Sequence, residues 1–126
     1  KAVRRGKHVG VYTPSSADAW RETLKIGLNR HAGETIEGAF AVKLSFFLKR
    51  PKAHFRTGRF SHLLRDDAPE YHTKVPDCDN LAKLVLDVLT KIAYWKDDSQ
   101  VTLLYTTKTY ASDLDTEGVK IETAVL

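Results

Sequence analysis

The chain has no methionine and one cysteine, Cys78. A single thiol cannot close an internal disulfide, so stability must come from an apolar core, and a reducing compartment, the cytoplasm, is the expected location. Without a methionine the chain is expected to be trimmed, with part of an N-terminal strand missing. No apolar run approaches the roughly 20 residues that a bilayer span needs, and no charged-then-apolar leader is visible. No glycine-rich phosphate cradle occurs, so no nucleotide cofactor is expected. The most informative absence is of negative charge: from Gly38 through Arg65 there is no acid at all.

That gap is filled with cations: Lys43, Lys49, Arg50, Lys52, Arg56, Arg59 and Arg65. Residues 1–65 carry 14 Lys/Arg against 4 acids, whereas residues 66–126 carry 6 against 12. Clustered Lys and Arg gain from counterion release when they meet phosphates, so a polyanionic partner is indicated; a plain solvated basic face is the competing reading. With 42% hydrophobic and 29% charged residues, the 126-residue chain reads as one globular domain over residues 1–126.

Periodicity sketches the elements. A short extended piece ends in HVGVYTP, and Pro14, Ser15 and Ser16 signal a turn and helix cap. Trp20, Leu24 and Leu28 then recur at helical spacing, with Gly33 as the stop. Phe40, Val42, Leu44, Phe46 and Leu48 alternate as a half-buried strand. Residues 50–76 follow neither period, and a loop of that length rich in Arg, His and aromatics points to function. A helix from Asn80 to about Tyr94, a strand at 100–108, a turn and a strand at 119–125 complete the order. The expectation is an α+β fold: a mixed β-sheet with two main helices packed against it and a long basic loop.

The second helix is apolar around most of its circumference. Its polar residues form a stripe, Asp79, Lys83, Asp87 and Lys91, at steps of four. Asp79 alone is explained as a helix cap. Asp77, Asp97 and Asp98 are not. Two carboxylates in close contact repel by roughly 4 kcal/mol at an effective dielectric near 20. A fold that gathered all four would need protons or a divalent cation, and all-oxygen ligation suits Mg²⁺ or Mn²⁺. If residues 75–79 are extended, Asp77 and Asp79 share a side and Cys78 points away.

Other motifs with this opening fail. An EF-hand beginning at Asp77 would need Gly and Glu where Ala82 and Val88 stand. No Asp-x-Lys or Glu-x-Lys occurs to complete the nuclease pattern begun by Pro76-Asp77. The full string PDCDNLAKLVLDVLTKIAYWKDDSQV, residues 76–101, resembles the signature of the RusA-type Holliday junction resolvases of bacteria and their prophages. A looser resemblance runs from VYTP through Lys108.

The resemblance implies a Mg²⁺-dependent endodeoxyribonuclease, with Mn²⁺ as substitute, that hydrolyses phosphodiester bonds at four-way junctions in recombination and repair. It implies Asp77, Asp79 and Asp98 as metal-binding catalytic carboxylates, Asp97 as a supporting acid and Lys83 as an essential cation. Lys108 falls where relatives carry a Lys and, with Lys74, is expected to contact DNA. Pro76 departs from the Arg of some members, so that phosphate contact is expected from Lys74 or His72. A homodimer is implied as well. From the residues themselves, the basic stretch is expected to grip DNA through Lys49, Arg50, Lys52, Arg56, Arg59 and Arg65, with Phe55 or Phe60 stacking at unpaired bases. A junction-binding module that does not cut, and a broader flap or fork nuclease, are the alternatives.

Overall fold

A computed structural model describes residues 5–11, 17–33, 35–112 and 117–126, with side chains from residue 21 onward except at residue 30. In order the elements are β1 (Arg5–Val11), α1 (Ala17–Leu28), β2 (Phe40–Leu48), α2 (Cys78–Lys91), β3 (Val101–Tyr110) and β4 (Gly118–Val125). The fold is α+β, as expected. The turn and cap expected at Pro14–Ser16, the side chain of Trp20 and the tip of the turn at 113–116 lie outside the described residues.

The four strands form one mixed sheet in the order β1-β4-β2-β3. β4 runs antiparallel to both β1 and β2, and β3 runs parallel to β2. Strand β2 alternates as its sequence predicts: Phe40, Val42, Leu44, Phe46 and Leu48 are buried, with Lys43 and Phe47 exposed between them. Those buried residues meet Leu24 and Leu28 of α1, Leu81, Leu84, Val85, Val88 and Leu89 of α2, and Val119 and Ile121 of β4. Burying a Leu or Val side chain contributes about 1.5–3 kcal/mol. An ion pair along a helix contributes a few tenths. Burial therefore sets how α2 is turned, and its stripe of Asp79, Lys83 and Lys91 is left in solvent with Asp87 half-buried.

Helix α2 stops at Lys91, three residues short of the expected Tyr94, because Ala93 takes a left-handed backbone conformation (φ 58°). The freed carbonyls of Ile92, Ala93 and Tyr94 accept hydrogen bonds from the amides of Gly33, Thr35 and Ile36 at 2.8–2.9 Å. The chain then turns inward. Trp95 is fully buried against Phe40 and donates its indole N–H to Thr90 Oγ1 at 2.7 Å.

Because β2 and β3 are parallel neighbours, the chain between them must return along the sheet, and α2 makes that return. The start of α2 thus lies at the carboxyl ends of β2 and β3, and its end lies at their amino ends. Among the described residues no helix is long and apolar enough to cross a membrane.

Candidate active site

Helix α2 begins at Cys78, two residues earlier than its periodicity predicts, and Asp77 is its N-cap residue with extended backbone (φ −78°, ψ 151°). Asp79 lies in the first turn and Lys83 one turn later, and all three side chains are exposed. Since the backbone is helical from Cys78, the alternation argument for Asp77 and Asp79 does not apply. They are gathered by a helix start rather than by a strand. Two carboxylates there are favoured by the positive end of the helix dipole. Cys78 is a half-buried free thiol.

The approach to Asp77 is fastened to the outer edge of β3. Tyr71 bridges Thr109. The His72 ring packs on Tyr110 with centroids 4.9 Å apart. The Lys108 ammonium donates to the carbonyls of Lys74 and of Pro76, the latter at 2.9 Å. The Val75–Pro76 peptide bond is cis. Burial holds the His72 imidazole below its ordinary pKa, with Lys108 and Lys74 acting in the same direction.

Asp97 and Asp98 belong to a separate device. Residues Asp98–Gln100 form a 3-10 turn that runs directly into β3. Gln100 builds it: its Oε1 accepts from the amides of Lys96 (2.8 Å) and Asp97 (3.1 Å), and its Nε2 donates to the carbonyls of Ile36 and Gly38, both at 3.0 Å. A hydrogen bond from Ser99 holds the Asp97 carboxyl below the usual carboxylate range. Asp97 is thereby engaged in turn formation, and Asp98 is left exposed beside it.

The two acidic groups do not meet within one chain. Fourteen helical residues span roughly 21 Å, and the seven steps from Val101 to Lys108 of β3 span roughly 23 Å. Among the described residues, no three His, Cys, Asp or Glu side chains lie close enough together to hold a metal ion. The donors are carboxylate oxygens, which suits a hard cation. A single chain nevertheless offers only Asp77 and Asp79 at one end and Asp98 at the other.

The basic stretch divides likewise. Arg50, expected to face DNA, is 7% exposed. Its guanidinium lies 4.9 Å from the Tyr110 ring centroid, donates to the Pro69 carbonyl at 2.8 Å and sits 3.2 Å from His54 Nδ1. It pins the loop to the sheet instead of reaching outward. Phe55, one of the two residues expected to stack on bases, is also buried (6% exposed), in a small hairpin closed by its bridge to Leu64. Lys49, Lys52, Arg56, Arg59, Arg65 and Lys74 remain on the surface. Arg56 pairs with Asp66, and Arg65 with Asp67, each at 3.1 Å. At the hairpin tip Phe60 is exposed, with the Arg59 guanidinium 5.1 Å from its ring centroid.

Residues 1–122 match the family model described as endodeoxyribonuclease RusA. The chain belongs to the RusA endodeoxyribonuclease family. No curated protein matches it. The match to RusA covers β1 through most of β4, so it includes both acidic groups and the whole basic stretch. Sequence reasoning missed the inward Arg50, although Arg50 continues the even-numbered, core-facing series of β2. It also missed the structural role of Gln100, which stands next to last in the string that carries the resemblance, three residues after Asp97.

Proposed function

We propose that this RusA-family protein is a metal-dependent endodeoxyribonuclease that resolves four-way DNA junctions in recombination and repair, working in the cytoplasm as a two-fold symmetric homodimer. The observation that carries the reading is that Asp77 and Asp79 open a helix beside an uncovered strand edge whose far end bears Asp98. β3 is the outermost strand, and among the described residues its outer edge is bridged only at Thr109. Leu103, Leu104 and Tyr105 are 60%, 47% and 61% exposed along it. An open apolar edge of this kind is a template for another strand. Antiparallel pairing of β3 with its copy would carry Asp98 of the partner subunit toward Lys108 and Asp77. Two identical sites, each made from two chains, then match the two symmetry-related strands of a junction.

In such a site Asp77, Asp79 and Asp98 of the partner subunit would hold Mg²⁺, with Mn²⁺ as substitute. The cation would supply Lewis acidity toward the phosphate and toward an attacking water. Lys83, one turn beyond Asp79, presents a positive charge to the phosphorane-like charge that develops on cleavage. Asp97 keeps Asp98 in place through the turn that it opens. Lys49, Lys52, Arg56, Arg59, Arg65 and Lys74 would engage backbone phosphates, and Phe60 unpaired bases.

The test is a labelled synthetic four-way junction incubated with the protein and Mg²⁺ or Ca²⁺, beside duplex and flap controls. Paired nicks confined to the junction under Mg²⁺ are expected. Tight junction binding without nicks under either Mg²⁺ or Mn²⁺ would instead mark a binding module, and nicks on flaps a broader nuclease.

A further inference from the structure

Lys108, a residue expected to touch DNA, is half-buried and turns its ammonium onto the main chain that leads into α2. It pairs in register with Phe46, which is fully buried, and so lies on the sheet face that carries the helices. A charge on that face needs partners. An ammonium has three donors, and two of them are given to main-chain carbonyls, those of Lys74 and Pro76. These residues precede Asp77 immediately. Lys74 and His72 stand close by, and both Lys108 and Lys74 disfavour a proton on His72. Lys108 thus holds its position close to a second cationic residue, Lys74, which only directed acceptors make favourable.

We propose that Lys108 is a positioning residue: by fixing the path of residues 74–76 it sets where Asp77 and Asp79 stand. The inference rests on the metal-dependent reading above. The Tyr71–Thr109 bridge and the His72–Tyr110 contact anchor the same segment earlier, so Lys108 is its last fastening before α2. Polar partners that orient a metal-binding group change metal affinity by about 10- to 100-fold when they are removed. A phosphate contact would act differently, lowering the slope of log K against log salt by about 0.9.

The experiment compares the full chain with Lys108→Met, which keeps length and removes the donors, and with Lys108→Arg, which keeps the charge. Three quantities are read: Mn²⁺ affinity by calorimetry without DNA, junction affinity against salt in Ca²⁺, and amide hydrogen exchange over residues 74–79. Lys108→Met should weaken Mn²⁺ binding by about tenfold or more, speed exchange in that segment and leave the salt slope unchanged. Unchanged Mn²⁺ affinity and exchange with a reduced slope would overturn the proposal in favour of a DNA contact. If Lys108→Met does not fold, Lys108→Arg decides: weaker Mn²⁺ binding with the salt slope retained supports positioning, and wild-type values throughout overturn it. A wild-type chain that binds no Mn²⁺ and cuts no junction would instead overturn the nuclease reading. Exchange at 74–79 would still report whether Lys108 holds the segment.

Discussion

Asp77 and Asp98 stand at opposite ends of one helix, separated by its full length, although only twenty residues of sequence lie between them. A parallel strand pair joined through a helix imposes that separation.

Complementation between two defective chains follows directly. Asp77→Asn and Asp98→Asn should each bind junctions and each lose cleavage by about 100-fold or more. In a mixed dimer one site would combine both defects and the other would be intact. Co-refolded in equal amounts, the two variants should recover about a quarter of the wild-type sites. A nicking assay in Mg²⁺ measures this, and no recovery would show that each site is built within one chain.

Arg56→Ala with Arg59→Ala should weaken junction binding and reduce the slope of log K against log salt by roughly 0.9 for each phosphate that is no longer neutralised. Freeing Asp66 from its pair with Arg56 adds unfavourable charge in the same direction. Fluorescence anisotropy between low and moderate salt checks it; an unchanged slope would mean that the hairpin does not touch DNA.

Arg50→Ala should act on the fold instead. The residue is buried, stacked on Tyr110 and bonded to the Pro69 carbonyl. Removing a charge-assisted hydrogen bond and the ring interaction together should cost about 2–4 kcal/mol of stability. Denaturant midpoints for Arg50→Ala and for Arg59→Ala, where almost no change is expected, separate an internal pin from a surface cation.

How much of this is legible in the sequence depends on distance along the chain. The β2 alternation and the α2 stripe are local patterns, and both survive folding because burial of apolar side chains dominates each element. The order β1-β4-β2-β3 comes from pairings between distant segments, and no local period encodes them. Charge counting misplaces Arg50 because it treats each Arg as solvated, while the step of two from Leu48 already points the residue inward. Asp77 and Asp98 look like neighbours in the sequence because they flank one helix, where the parallel return places flanking residues far apart.

His54 and His72 predict the pH response of the loop. Burial lowers both below 6.5, with Arg50 and Lys74 assisting at His54, and Lys108 and Lys74 at His72. The unfolded chain therefore binds protons more readily than the folded one. This contribution to stability is complete above about pH 6.5 and is lost as pH falls from there through the lowered folded values. Glu117, raised by burial, works in the opposite sense nearer its own range. Thermal midpoints between pH 7.5 and 5.5 should fall for the wild type and flatten in a His54→Gln, His72→Gln double variant.

The bare flank of β3 has a further consequence, for solubility. Along Val101–Thr106 the peptide groups of alternate residues point away from β2, and among the described residues no strand pairs with them, beside exposed Leu103, Leu104 and Tyr105, a combination that recruits any free strand it encounters. A lone subunit is thus prone to aggregate. Lysine at Leu103 or Leu104 should protect an isolated chain from precipitation while leaving it unable to cut.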